Sequence, residues 1–188
     1  MPQNRLIILD RDGVINEDSD AFVKSLAEWI PIPGSIEAIA ALSKAGFLIT
    51  VATNQSGIGR GLIDLDELEK MHAKLCVLVE EQGGKIDGIF YCPHTPEDEC
   101  DCRKPKSGLI SAIEDELAIS ASGSYMIGDS VRDLEAGLEK HCLPILVKTG
   151  KGKKSLSSLE ANNPSLLAQT KVFDDLKSFT DKLLAGKA

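Results

Sequence analysis

Five aliphatic runs, at residues 5–9, 47–52, 88–91, 124–127 and 144–147, recur along the 188 residues, and none alternates apolar with polar side chains. A strand with one wet face alternates, whereas a strand covered on both faces is continuously apolar. The runs therefore predict a parallel sheet buried on both sides. A shorter run at 171–173 is a candidate sixth strand. Between the runs lie amphipathic stretches at 35–44, 65–82, 107–116, 130–140 and 174–184, read as helices. Pro33-Gly34 opens the first and Gly46 closes it, while Gly83-Gly84 closes the second. This order predicts an α/β fold: doubly wound, with a mainly parallel sheet and helices on both faces. One domain over residues 1–188 is expected, and the segments between strands leave no room for a cap domain. The Lys- and Ser-rich stretch 150–163 predicts a surface loop.

In open α/β sheets, ligands bind beyond the carboxyl ends of the strands. Asp10 and Asp12 follow the first run, Thr53 and Asn54 the second, and Gly128-Asp129 the fourth. Each alone is an ordinary turn residue; polar residues at three strand ends together point to a site. Asp10 and Asp12, spaced i and i+2, leave the strand on one side of the chain. Two carboxylates that close repel unless a cation lies between them or one carries a proton. Both conditions suit chemistry on a phosphate ester.

Composition narrows the partners. A net charge of −8 and the lack of a basic run argue against a nucleic-acid partner. No apolar stretch approaches the ~20 residues of a membrane span, and the amino terminus carries no secretory apolar region. A cytoplasmic protein without a membrane partner is expected, and with no large apolar helix face evident, a monomer. Five cysteines, an odd number in a reducing compartment, do not suggest a disulfide framework. Cys92, His94, Cys100 and Cys102 form a soft Cys₃His set of the kind that holds structural Zn²⁺ tetrahedrally. That loop ends directly before Arg103 and Lys104, so zinc would fix where both cations point. Cys76 and Cys142 read as core residues, and His72 and His141 as exposed helix residues.

Asp10-x-Asp12, Thr53-Asn54, Lys104 and Gly128-Asp129-Ser130-x-x-Asp133, in this order, resemble the motif set of the haloacid-dehalogenase-like phosphohydrolases over nearly the whole chain. The resemblance implies a Mg²⁺-dependent phosphatase. Asp10 would attack phosphorus and form an aspartyl-phosphate, and Asp12 would act as general acid and then base. Thr53 and Lys104 would stabilise the transferring phosphoryl group. Mg²⁺ would be held by Asp10, the backbone carbonyl of Asp12 and Asp129, with Asp133 supporting the site or orienting Lys104.

Substrate choice would then rest on the loops 15–33, 55–63 and 93–104. Two related capless groups share the motifs Asp10-Arg11-Asp12-Gly13, Thr53-Asn54-Gln55-Ser56-Gly57 and Cys102-Arg103-Lys104-Pro105: phosphatases of heptose bisphosphates and of histidinol phosphate. The run from Thr53 to Gly61 looks like the heptose group, whose substrate is a small phosphorylated sugar on the way to lipopolysaccharide. Asp18, Ser19, Asp20 and Ala21 match the family's substrate loop in position, with one extra residue and an unusual second Asp. Asn54, Gln55, Ser56 and Arg60 would add substrate contacts, and Arg103 would grip a second phosphate. Histidinol phosphate remains the alternative. A receiver-like phosphoacceptor module fits less well, since only Lys148 falls where that fold needs a lysine.

Overall fold

The computed structural model describes residues 5–186. In chain order its elements are β1 (Leu6–Leu9), α1 (Ser35–Lys44), β2 (Leu48–Asn54), α2 (Ser56–Gly59), α3 (Leu65–Glu81), β3 (Gly88–Cys92), α4 (Gly108–Leu117), β4 (Tyr125–Gly128), α5 (Val131–Glu139), β5 (Leu143–Val147), α6 (Gly152–Asn162), α7 (Pro164–Gln169), β6 (Lys171–Phe173) and α8 (Leu176–Leu184). The six strands form one sheet in the order β3-β2-β1-β4-β5-β6, and every pairing is parallel. The candidate strand at 171–173 is therefore real and closes one edge.

β1 shows why the runs had to be continuously apolar. Its side chains alternate between faces, Ile7 and Leu9 to one and Leu6 and Ile8 to the other, and all four are fully buried. On the first face Ile39 and Leu42 of α1, Met71 and Leu75 of α3 and Phe179 of α8 cover the sheet. On the second, Leu109, Ile110 and Ile113 of α4 pack with Ala136 of α5 and Met126 of β4.

The chain runs outward from β1 to β2 and β3, then crosses back to β4 on the other side of β1. Successive connections thus diverge between β1 and β4, leaving a crevice at their carboxyl ends. Asp10 and Asp129 follow those two strands directly. Between β1 and α1 the described residues form no helix and only two isolated bridges, Asp12 to Asn16 and Asn16 to Pro31.

Three expectations need correction. The stretch 150–163 is not a loop but helix α6, followed by the unexpected α7. Leu159 of α6 and Leu166 of α7 pack with Leu134 and Leu146 in a small third cluster. So few apolar residues among Lys and Ser carry a weak periodic signal, and tertiary packing supplies the stability. The loop 55–63 contains the single-turn helix α2. His141 lies beyond α5, exposed and in a left-handed conformation (φ 58°), not within the helix.

Phe179 is fully buried, with its ring centroid 5.3 Å from those of Tyr125 and Phe173 in edge-on packing. Phe179→Ala should cost ~3–5 kcal/mol, whereas Leu184→Ala, at a side chain 44% exposed, should cost under ~1 kcal/mol. Urea unfolding of both variants checks the pair; equal losses would contradict this packing.

Candidate active site

Asp10, Asp129 and Asp133 bring carboxylate oxygens within 4.8 Å of one another at the β1–β4 crevice, and all three residues are buried. Lys104 reaches into this group from the loop after β3 and is only 2% exposed. Its ammonium lies 2.9 Å from Asp10 Oδ1 and 2.6 Å from Asp133 Oδ1, and donates to the Ala52 carbonyl at 2.6 Å. Burial works against the lysine charge, but Asp10 and Asp133 outweigh it and hold the group above its ordinary range.

Three carboxylates facing one ammonium leave an excess of negative charge. Burial, then Asp133, pushes the Asp10 carboxyl up to about 7, although Lys104 pulls the other way. Burial, then Asp10 and Asp133, raises Asp129 to about 8. A divalent cation with a preference for oxygen ligands would balance this set, and the donor chemistry is that of a Mg²⁺ site. Asp133 also accepts from the amide and hydroxyl of Ser130, the capping box that starts α5. Its expected place near Lys104 and its ordinary role as a helix-capping acid therefore coexist.

Asp12 stands outside that group. Its carboxylate accepts from Arg11 Nε (3.2 Å) and Nη2 (3.0 Å to each oxygen), Asn16 Nδ2 (2.8 Å) and Gln55 Nε2 (2.9 Å). The same Gln55 amide donates to Thr53 Oγ1 at 2.9 Å. Accepting there leaves the Thr53 proton available for a ligand oxygen. Gly13 permits the turn after Asp12: its φ is +82°, and a Cβ would run into the Asp129 carboxylate.

Around these groups opens a cleft of about 300 Å³. Most of the residues expected to touch substrate line it: Asp18, Ser19, Asp20, Asn54, Gln55, Ser56, Arg60 and Arg103. Ala21 does not line it; Phe22 and Val23 do. Two of the lining residues are committed elsewhere. Asn54 exchanges two 3.1 Å hydrogen bonds with the backbone of Lys104, fixing that residue, and Gln55 bridges Arg11, Asp12 and Thr53.

Arg132 and Lys151 also line the cleft and were not expected. Lys151 pairs with Asp18 at 3.0 Å and its amide donates to Asp129 Oδ2 at 2.8 Å. Both follow strand ends, after β4 and β5, which is the signal that would have found them. Burial, then Arg132, lowers the Arg103 guanidinium, with Arg60 adding to the repulsion. Three cations close enough to repel one another thus line the cleft. His72 was expected on an exposed helix face; it is half-buried, with Nε2 3.4 Å from Arg11 Nη1.

The Cys92, His94, Cys100 and Cys102 cluster assembles beside Arg103. Its sulfurs lie 3.0, 3.5 and 3.6 Å apart, and His94 Nδ1 is 3.6 and 3.3 Å from Cys92 and Cys102. Those sulfurs are too far apart for a disulfide, while a tetrahedral site with ~2.3 Å Zn–S bonds has S···S edges of about 3.8 Å. Burial, then hydrogen bonds with Cys92 and Cys100, pushes the Cys102 thiol up to about 12. Neighbouring thiols that resist ionising together are the arrangement a thiophilic cation relieves. Of the other cysteines Cys142 is buried, as expected, whereas Cys76 is only half-buried.

The HAD-hydrolase-like family model matches residues 101–178. Over 180 residues the chain is 54% identical to the D-glycero-beta-D-manno-heptose-1,7-bisphosphate 7-phosphatase of Pseudomonas putida, spanning 96% of this chain and 99% of that protein. It is 50% identical to the protein of the same name from Neisseria meningitidis serogroup A, spanning 98% and 97% of the two. The structure of D,D-heptose 1,7-bisphosphate phosphatase from B. bronchiseptica, complexed with magnesium and phosphate, matches with a TM-score of 0.90 at 46% identity, over 97% of this chain and 99% of that one. With half its residues shared with these proteins over nearly its whole length, and an acid cluster at its strand ends, the chain belongs to the D-glycero-β-D-manno-heptose-1,7-bisphosphate 7-phosphatase family of haloacid-dehalogenase-like phosphatases.

Proposed function

We propose that the chain removes the C7 phosphate of D-glycero-β-D-manno-heptose 1,7-bisphosphate, a Mg²⁺-dependent step toward lipopolysaccharide heptose. The observation that carries this reading is the presence of two cationic groups in one cleft. Lys104 is paired with the buried acids, while Arg60, Arg103 and Arg132, close enough to repel one another, also line the cleft. A bisphosphate offers one phosphate to Lys104 and one to the arginines, and the acidic loop at Asp18 and Asp20 suits sugar hydroxyls. The names of the relatives agree with this substrate and with its β anomer.

Asp10 attacks phosphorus in line; the P–O7 bond breaks and its electron pair leaves with the sugar oxygen. Asp12 gives that oxygen a proton, so the heptose 1-phosphate departs neutral at C7. Asp12 then takes a proton from water, whose oxygen attacks the aspartyl-phosphate and frees inorganic phosphate from Asp10. The Thr53 hydroxyl and the Lys104 ammonium stabilise the charge on the transferring oxygens. Asp10, Asp129 and the Asp12 carbonyl, with Asp133 in support, would hold Mg²⁺, which when bound neutralises charge on the phosphoryl group. Cys92, His94, Cys100 and Cys102 would hold a structural Zn²⁺ that stiffens the loop carrying Arg103 and Lys104. The same proposal takes residues 1–188 as one domain of a monomeric cytoplasmic enzyme, with no nucleic-acid or membrane partner. A net charge of −8 supports the first exclusion, and no helix among the described residues is long and apolar enough to cross a membrane.

The deciding experiment compares kcat/KM for the β and α heptose 1,7-bisphosphates and for histidinol phosphate, with Asp10→Asn as the inactive control. A preference of about 100-fold for the β bisphosphate is expected. A preference for histidinol phosphate, or turnover by Asp10→Asn, would overturn the assignment.

The acid cluster also sets a pH dependence. Asp10 and Asp129 have folded-state pKa values of about 7 and about 8, above the ordinary carboxylate range. Groups raised in this way contribute stability that is complete below their unfolded pKa and is lost as pH rises through the folded value. The metal-free protein should therefore lose stability between about pH 4 and pH 8. Mg²⁺ binds the ionised carboxylates, so the Tm gain from millimolar Mg²⁺ should be larger near pH 8 than near pH 5. A pH-independent gain would count against a metal at this cluster.

For the thiol loop, Cys102→Ser should lose zinc by elemental analysis and raise KM while leaving far-UV circular dichroism unchanged. Retention of both zinc and full activity would remove the structural role.

A further inference from the structure

Arg11 is fully buried, and its guanidinium has five N–H donors and no acceptor. Nε and Nη2 are spent on the two oxygens of Asp12 and on Gln55 Oε1, the last at 3.1 Å. Nη1 faces His72 Nε2 at 3.4 Å. Because a guanidinium can only donate, His72 Nε2 must present its lone pair, which places the ring proton on Nδ1. The His72 ring is tilted against Tyr91, with centroids 5.9 Å apart. A chain of contacts therefore runs from α3 through His72 and Arg11 to the carboxylate that opens onto the cleft. None of the three steps assigned to the reaction uses His72 itself.

We propose that His72 is a positioning residue: by accepting from Arg11 Nη1 it fixes the guanidinium that orients Asp12 for proton transfer. Burial, and then the Arg11 charge, lowers the His72 pKa to about 4 against the pull of Asp12, so the accepting lone pair persists at neutral pH. Gln55 holds the opposite side of the same carboxylate and ties it to Thr53. Without its partner on α3, the buried guanidinium keeps an unpaired donor and gains freedom to turn, and Asp12 turns with it. Among the described residues the polar partner of His72 is Arg11, so its loss acts first on the Asp12 carboxylate that Arg11 orients.

The inference rests on the reading of Asp12 as the general acid, and leaving-group dependence separates the two. An alkyl phosphate needs a proton on its departing oxygen, whereas 4-nitrophenyl phosphate leaves as a weakly basic anion without one. The quantity measured is kcat/KM for heptose bisphosphate and for 4-nitrophenyl phosphate, in wild type, His72→Phe, His72→Gln and Asp12→Asn. His72→Phe keeps a ring beside Tyr91 but accepts nothing; His72→Gln places a carbonyl oxygen where Nε2 was. His72→Phe should lower kcat/KM for the sugar phosphate by ~10–100-fold and for the aryl phosphate by less than ~3-fold, and His72→Gln should restore most of the loss. If His72→Phe does not fold, His72→Asn replaces it, since its shorter amide stops short of Arg11. Equal losses on both substrates, or no loss on either, would overturn the proposal while Asp12→Asn still discriminates between them. If Asp12→Asn itself shows no leaving-group dependence, the acid assignment falls and takes the role of His72 with it.

Discussion

The structure depends on one buried ammonium. Lys104, 2% exposed, sits between Asp10 and Asp133 with Asp129 close by. Taking these charges out of water is costly unless they are paired and well bonded. The pairing here is incomplete by design of composition: three acids meet one lysine, so Asp10 and Asp129 hold their protons to unusually high pH. An arrangement that unfavourable by itself is one that a divalent cation and a phosphate would relieve, and preorganisation of this kind is what electrostatic catalysis requires.

Much of the surrounding fold serves to keep that lysine in place. Lys104 arrives on a loop, not on a strand, and loops are ordinarily mobile. Its backbone is tied to Asn54 at the end of β2, and Lys106 donates to the carbonyls of Glu99 and Cys100. The thiol cluster draws the two ends of the same loop together. The three acids come from more rigid sources: Asp10 from the end of the central strand, Asp129 from the end of β4, and Asp133 from the first turn of a capped helix. The chain is acidic as a whole, at −8, yet Arg60, Arg103 and Arg132 converge where a second anion would lie. Attraction of an anionic substrate is thus local, set by burial and short distances, and owes nothing to the net charge.

The parts of the site legible in the sequence are those that obey periodicity or spacing. Continuous aliphatic runs have one economical solution, a doubly covered parallel sheet, and the polar residues after them must meet at one edge of it. Asp10, Asp12, Thr53 and Asp129 were legible for that reason. Cys92, His94, Cys100 and Cys102 were legible because close spacing already holds them within reach of one another. Arg132 lies in a helix that the sequence does predict, but no spacing rule marks which of its side chains faces the cleft, whereas Lys151 was hidden by the weak pattern of its surroundings. The stretch holding Lys151 read as a polar loop, and only the packing of Leu159 and Leu166 against α5 and β5 makes it helical and brings its amide to Asp129.

The sequence by itself thus determined the sheet, the strand ends that carry the acids and the grouping of the thiols, because local periodicity and short chain separation constrain these directly. Tertiary structure decided what is long-range. It turned Asp12 away from the other acids toward Arg11 and Gln55, and used Asn54 as a brace for Lys104 instead of a free ligand. It also folded α3 so that His72 meets a guanidinium sixty-one positions away in the chain. Contacts between residues that far apart depend on how helices pack across the sheet, and no local pattern of residue types encodes which side chains will then face each other.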